Sequence, residues 1–361
     1  MCLPSELPAR RFRKDIEALF GPGSDASRVS WSGTEENNVS MSSSPRKLVS
    51  IVTPSFNQAK FLEETLRSVY LQNYRPIQHI VIDGGSVDDS VAILDRCSKA
   101  FGGADYRLEW ISERDQGMAH ALGKGFGRAT GEYVGWLNSD DVYFDRHVVE
   151  TAARELENHT DADVVYGDVA LISENSGLWM VWCFPNFRYE RALRGYIIPQ
   201  PTVFFRSPVV KRHPIGDLPV EGVDHAYWLE IGRDQRFRHV RRVQAADRDH
   251  RGRLTNAWSD SLEKKKKELR ERYGRGYSPT LLDRIKDTLV RVLLRFRGSI
   301  YLARILFKKQ LESEVAFPLW VDSRRKVIHR QFTMRIGHRP DLGPTPAGRR
   351  MHAGLAARER S

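Results

Sequence analysis

The 361-residue chain has three cysteines, Cys2, Cys97 and Cys183, far apart and without a CxxC pair. That excludes a disulfide framework and a zinc ribbon, and it suits a reducing compartment. No run of eighteen uncharged apolar residues occurs, so no transmembrane helix is expected. The opening "MCLPSELPARRFRKDIEALF" lacks the apolar centre of a secretory signal, which points to a cytoplasmic protein. The glycine pair of "DGGSVDDS" does not make the GxGxxG of a dinucleotide fold, and no GxxxxGK followed by Ser or Thr is present for a P-loop. Asp83, Asp88 and Asp89 lack the alternation and the closing Glu of an EF-hand.

What is abundant is positive charge, and its place matters more than its total. The net charge is +11, but residues 1–255 carry 32 Lys and Arg against 35 Asp and Glu, while residues 256–361 carry 25 against 11. An enzyme acting on nucleic acid would line its cleft with that charge. Here the charge belongs to a C-terminal segment, so a nucleic-acid partner is not expected.

The chain divides by composition. Residues 1–46 read as a disordered tail, since Gly21 to Pro45 is rich in Ser, Gly and Asn without periodicity. From Lys47 apolar strands alternate with amphipathic helices. "KLVSIVTPSFN", "IQHIVIDGGS", "YRLEWISERDQG" and "EYVGWLNSDD" read as strands, and "QAKFLEETLRSVYLQ", "VDDSVAILDRCSKAF" and "MAHALGKGFGRAT" as the helices between them. This is the pattern of right-handed crossovers in an α/β protein with a parallel sheet.

In such sheets ligands bind beyond the carboxyl ends of the strands. The polar residues fall there: Thr53, Pro54, Ser55 and Asn57; Asp83, Gly84 and Gly85; Glu113, Arg114 and Asp115; Asn138, Ser139, Asp140 and Asp141. One such loop is explained by helix capping; four in succession point to a site. A carboxylate at a strand end can accept hydrogen bonds from a base or a ribose, and a further one can hold Mg²⁺ or Mn²⁺, whose shell is completed by substrate phosphate oxygens. A cation and a diphosphate would neutralise the otherwise repulsive Asp140–Asp141 pair.

"VSIVTPSFNQ", "IVIDGGSVDDS", "SERDQG" and "ATGEYVGWLNSDD", in that order, resemble the motifs of family-2 inverting glycosyltransferases of the GT-A fold, over roughly residues 47–255. The resemblance implies a Rossmann-like, mostly parallel sheet flanked by helices, and a divalent metal. The donor it implies is a UDP- or dTDP-sugar, and the acceptor a saccharide or lipid-linked saccharide. On it, Thr53, Pro54, Asn57 and Asp115 border the nucleotide, Asp83 reads the base, Asp140 contacts the ribose, and Asp141 holds the metal. The first position of the family's DxD motif is Asn138 here, and Gly123 stands where similar sequences carry Asn. Lys124 is either near the diphosphate or a solvated helix lysine.

The second half should supply the acceptor side. "ADVVYGDVAL" reads as a strand ending near Gly167 and Asp168. "YIIPQPTVFFRSPVV", with Gln200 and Pro201, resembles the family's acceptor-side strand. "GVDHAYWLEIG" resembles the segment that carries the base, which would be Asp224; the alternatives are a plain helix cap or Glu221 as the base. "DRDHRGRLT" resembles the closing R-x-H segment, so Arg248 and His250 either touch diphosphate and metal or are surface residues.

Residues 256–339 read as a basic helical extension and residues 340–361 as a second tail. Leu282, Ile285, Leu289, Leu293, Phe296 and Ile300 form one stripe, with arginines largely off it. Such a segment either lies on an anionic membrane surface, on the cytoplasmic face, or packs on the main domain. Three readings of the whole stand: a metal-assisted inverting glycosyltransferase, a catalytically silent nucleotide-sugar-binding protein, and a basic membrane- or nucleic-acid-binding protein.

Overall fold

The computed structural model describes residues 45–195, 198–219, 221–253, 259–307 and 320–321. The tails expected at residues 1–46, but for the last two, and at 340–361 lie outside them. Seven elements fall where the apolar runs and helical spacings put them: β1 (Val49–Ser55), α1 (Leu62–Tyr70), β2 (Ile77–Asp83), α2 (Ser90–Ala100), β3 (Tyr106–Ser112), α3 (Met118–Arg128) and β4 (Tyr133–Trp136). These strands are parallel and ordered β3-β2-β1-β4, with Ser55 opposite Asp83 and Asp83 opposite Ser112, so three strand ends stand level. Every residue of β1 and β2 is buried, as expected of parallel strands covered on both faces. Alternation then sorts β1: Val49 and Ile51 join a core with Val148, Val149 and Ala152, and Val52 joins another with Leu122 and Phe126.

The second half is mixed. It runs β5 (Val142–Tyr143), α4 (Val148–Asn158), β6 (Val164–Ser173), β7 (Gly177–Trp182), α5 (Tyr189–Leu193), a 3₁₀ turn (Gln200–Thr202), β8 (Phe204–Arg206), α6 (Ser207–Arg212), α7 (Val223–Ile231) and β9 (Phe237–Asp249). β8 lies antiparallel between β4 and β6; β7 runs antiparallel to β6, and β9 parallel to it. One expectation needs correcting here. The strand around "ADVVYGDVAL" does not end at Asp168 but continues to Ser173, because both neighbours extend its ladder. Asp168 is therefore a buried mid-strand carboxylate, 2.9 Å from His239 Nε2 and 3.0 Å from Arg297 Nη2, and accepts the Phe184 amide. It does not line the cleft.

The basic extension contains α8 (Ser259–Gly274) and α9 (Leu281–Phe307), and a two-residue strand, β10 (Trp320–Val321), pairs with β7. Leu269 and Tyr273 of α8 are buried against Leu193, Ala226 and Leu229. α9 lies along β7. A Cβ at Gly298 would meet the Val181 carbonyl oxygen at 2.2 Å, so only glycine allows this approach. Leu294 and Tyr301 fill the adjoining core beside Val181 and Cys183.

One carboxylate ties α9 to α5. Asp287, 2% exposed, takes hydrogen bonds from Arg194 Nε at 2.5 Å and Arg191 Nε at 3.2 Å. Burial alone would raise its pKa, but the two guanidiniums outweigh it and hold the carboxyl below its ordinary value. This stabilisation is present at neutral pH and is lost as pH falls through the lowered folded value. Asp287→Ala should cost about 3 kcal/mol, because it removes the buried carboxylate that Arg191 and Arg194 share and leaves their charges uncompensated. Chemical denaturation at pH 7 and limited proteolysis between α8 and α9 should report it, with the wild type approaching the variant's stability in acid.

Candidate active site

The level strand ends form the floor of an open cleft of about 1990 Å³, closed on its far side by the loop before α7 and by α9. The first wall is the pair of loops after β1 and β2, stitched together by side chains. Asn57 adopts a left-handed φ of 52°. Its Oδ1 accepts the Val87 amide at 2.9 Å, and its own amide donates to Ser86 Oγ at 2.7 Å. Asp88 accepts the Ala59 amide at 3.0 Å and sits below the ordinary carboxylate range, since its hydrogen bonds outweigh its desolvation. Pro54 and Asn57 line the cleft, as expected.

Thr53 and Asp83 do not reach it through their side chains. Thr53 Oγ1 is buried 3.0 Å from His79 Nε2, while His79 Nδ1 is 3.1 Å from the Tyr106 hydroxyl. Burial pushes His79 down to about 3, so this chain of contacts is neutral. The Asp83 carboxylate is wholly buried. It accepts the Ser86 amide at 2.9 Å, the Gly85 amide at 3.2 Å and the hydroxyls of Ser86 and Ser112. The structure thus assigns these two residues to shaping the loops that carry Gly84 and Gly85 into the cleft.

Asp115 lines the cleft beside Gly84, its Oδ1 accepting the Gly117 amide at 2.8 Å where α3 begins. Lys124 does not approach the cleft; it pairs with Glu113 at 2.6 Å. The glycine at 123 has a structural cause, since a Cβ there would stand 3.0 Å from Gly216 Cα.

The loop after β4 is held from several sides. Thr65 Oγ1 of α1 donates to the carbonyls of Ser139 and Asp141, at 2.9 and 2.7 Å. Asn138 is committed to a ring of contacts: its Oδ1 accepts Trp136 Nε1 at 2.9 Å, and its Nδ2 donates to Gln200 Oε1 at 2.8 Å. Gln200 Nε2 closes the ring on the Trp136 carbonyl at 2.8 Å. Asn138 therefore fixes the loop, and the carboxylates of the motif are Asp140 and Asp141.

β9 brings the closing segment onto that pair. Asp140 Oδ2 lies 2.9 Å from His250 Nε2, and the His250 ring packs at 4.6 Å on Phe61. Asp141 Oδ1 accepts the Arg248 amide at 3.0 Å. Burial raises the Asp141 carboxyl well above its ordinary value, and the negative charges of Asp140 and Asp247 push it further. Asp247 is raised for the same first reason, although Arg253 Nη2, 2.6 Å away, opposes it. Asp247 and Arg253 were not singled out in the sequence, yet both line the cleft.

Arg248 is a correction. Its side chain is 1% exposed and clamped to Glu64 Oε2 at 2.6 Å, Ser176 Oγ at 2.9 Å and the Asp140 carbonyl at 2.9 Å. It secures the loop from behind and touches no cleft space.

The far wall presents Asp224 in the first turn of α7, following Gly222 at a left-handed φ of 67°. Its Oδ1 accepts the amide of His225 at 2.8 Å, and the residue lines the cleft. Glu221 does not line it.

A cleft at the carboxyl ends of parallel strands is where ligands bind in sheets of this kind, and here it is floored by carboxylates and faced by one more. Residues 50–208 match the family model for glycosyl transferase family 2. An uncharacterized glycosyltransferase of Mycobacterium tuberculosis is 38% identical over 174 residues, covering 48% of this chain and 63% of that protein. The PGL/p-HBAD biosynthesis glycosyltransferase of Mycobacterium bovis is 30% identical over 128 residues, 36% of this chain and 49% of its own. Among solved structures, a Pyrobaculum calidifontis mannosyltransferase in complex with GDP-Man and Mn²⁺ overlays with a TM-score of 0.48 at 16% identity, covering 87% of this chain and 81% of that one. The chain thus spans less than two thirds of the length of these curated relatives. The likeness to glycosyl transferase family 2 thus covers residues 50–208.

Proposed function

We infer that the protein is an inverting glycosyltransferase. It moves a sugar from a nucleoside-diphosphate donor, UDP- or dTDP-linked, to a hydroxyl of a saccharide or lipid-linked saccharide at the cytoplasmic face of a membrane. Residues 47–255 carry the reaction, and α8 and α9 of the extension pack against them. The observation that carries this reading is the convergence of Pro54, Asn57, Asp115, Asp140, Asp141 and Asp224 on one cleft from four separate segments.

The donor set fits a divalent cation. Among the described residues no group of three or more His, Cys, Asp or Glu side chains forms a metal cage. That suits Mg²⁺ or Mn²⁺, which take one or two protein carboxylates and fill the shell with phosphate oxygens and water. The buried, mutually repelling Asp141 and Asp140 are the hard donors, with His250 on Asp140. When bound, the cation would neutralise charge on the leaving diphosphate.

The chain's own residues do the rest. Asn57 and Asp115 border the nucleotide, on loops that Asp83 and Ser86 hold rigid. Asp224 faces the floor from the opposite wall and takes the proton from the acceptor hydroxyl as its oxygen attacks the anomeric carbon. A single base opposite the leaving group gives inversion, with no second carboxylate acting as nucleophile. Among the described residues no helix is long and apolar enough to cross a membrane.

Thermal stabilisation and turnover across a panel of UDP-, dTDP- and GDP-sugars, with Mn²⁺ and with EDTA, test the reading. We expect one nucleotide class to raise the melting temperature in Mn²⁺ and to be consumed. Stabilisation without turnover would favour a silent binding protein; neither would remove the donor assignment.

A further inference from the structure

α9 is tied to the domain along one side, and the opposite side is apolar and exposed. Successive helix positions turn by about 100°, which gathers Leu282, Ile285, Leu289, Leu293, Phe296 and Ile300 into an arc within roughly 120°. Asp287, Leu294, Gly298 and Tyr301, which hold the helix on α5 and β7, lie about 120–180° away from its centre. This is the reverse of a surface helix that packs its hydrophobic stripe inward. Leu293 is 68% exposed, Phe296 60% and Leu289 58%.

Among the described side chains of α9 the exposed charges are all basic. Lys286 stands at one edge of the arc, and Arg284, Arg291 and Arg295 lie beyond the other, about 120–160° from its centre; all four are exposed, while the acidic Asp287 is turned inward. The three arginines also line the cleft, so α9 is a wall of the cleft and carries the apolar arc on its outer side.

We propose that the outward face of α9 docks on an anionic lipid bilayer, lying in the plane of the interface beside the open cleft. An apolar stripe on a helix whose exposed charges are cationic matches a surface of acyl chains beneath negative headgroups. A second copy of the chain offers no such negative partner, since its α9 presents the same cations. The docking stands independently of the transfer reaction; its consequence rests on that reading, for it places a lipid-borne hydroxyl acceptor within reach of the cleft.

The test uses the full chain and vesicles of phosphatidylcholine with and without 30% phosphatidylglycerol. Wild type should co-sediment with the anionic vesicles and less with neutral ones. Each Lys or Arg near the surface contributes roughly five-fold in partition at low salt, so high salt should weaken binding. Leu289→Ser, Leu293→Ser and Phe296→Ser together should reduce partition ~100-fold or more, since three large side chains no longer enter the interface. Melting temperature and nucleotide-induced stabilisation should stay near wild-type values, because the three side chains are largely exposed and belong to none of the buried cores. Absence of wild-type binding, or equal binding by the triple variant, would overturn the proposal. So would a wild-type dimer that the triple variant dissolves, in the absence of vesicle binding; the face would then be a self-interface.

Discussion

Asp224→Asn should abolish transfer while leaving the protein folded and its donor affinity near wild type. A positioned base accelerates proton removal from a hydroxyl by typically ~10²–10⁴, and the amide cannot accept that proton. The substitution keeps the side-chain volume and an oxygen for the His225 amide, now 2.8 Å away, so the first turn of α7 should survive. A purely capping role makes a different forecast: a stability loss of ~1 kcal/mol and nearly normal turnover. Melting temperature, donor affinity and transfer rate on this one variant separate the two. The comparison variant is Glu221→Gln. Glu221 stands outside the cleft lining, so its removal should be silent; a dead Glu221→Gln beside an active Asp224→Asn would move the base to the wrong side of Gly222.

The parallel half of the sheet was legible in the sequence because its central strands β1, β2 and β4 are buried on both faces and so read as nearly continuous apolar runs. "KLVSIVTPSFN" and "IQHIVIDGGS" give β1 and β2 within three residues at either end. β9 was not legible as a strand. Its "FRHVRRVQAADRD" carries six charged side chains, and what makes it a strand is pairing with β5 and β6, which no local pattern shows.

The same division runs through the site. Residues whose backbone closes a strand were placed correctly, but the direction of their side chains was not always readable. Thr53 and Asp83 sit at the expected strand ends, yet each is turned into the protein by a partner 26 or three to 29 residues away. Arg248 looked like a cleft cation because arginine is seldom buried; its burial depends on Glu64, 184 residues earlier. Asp247 left a trace that was passed over: a carboxylate directly after two alanines in an alternating segment, where a buried position is expected. For α9 the stripe itself was plain, but not which side faces the domain. Asp287 and Gly298, both opposite the stripe, were the signal, since a buried carboxylate and a missing side chain mark a packed face.

Asp141→Asn should move stability and ligand binding in opposite directions. In the free protein the Asp141 carboxyl is raised by burial and by its acidic neighbours, so ionising it opposes folding. The sign follows from linkage: a carboxyl with a raised folded pKa favours the fold below its unfolded value, and that contribution is lost as pH rises through the folded value. Asparagine removes the titration but keeps an oxygen for the Arg248 amide. The variant should therefore melt at or above the wild-type temperature in EDTA, with the gap widening as pH rises from the ordinary carboxylate range toward the raised folded value. Donor binding should do the reverse. With the buried carboxylate gone, the Mn²⁺-dependent part of UDP or dTDP affinity should fall by more than the ~10–100-fold that loss of an outer partner of a metal ligand costs. Calorimetric titration of nucleotide in Mn²⁺ and in EDTA, on both proteins, reads this directly. Wild-type affinity that is the same with Mn²⁺ and with EDTA would sink the assignment of Asp141 to a cation. A variant that loses stability at pH 8 without losing Mn²⁺-dependent binding would show instead that the carboxylate serves the loop, through the Arg248 amide, and not the diphosphate.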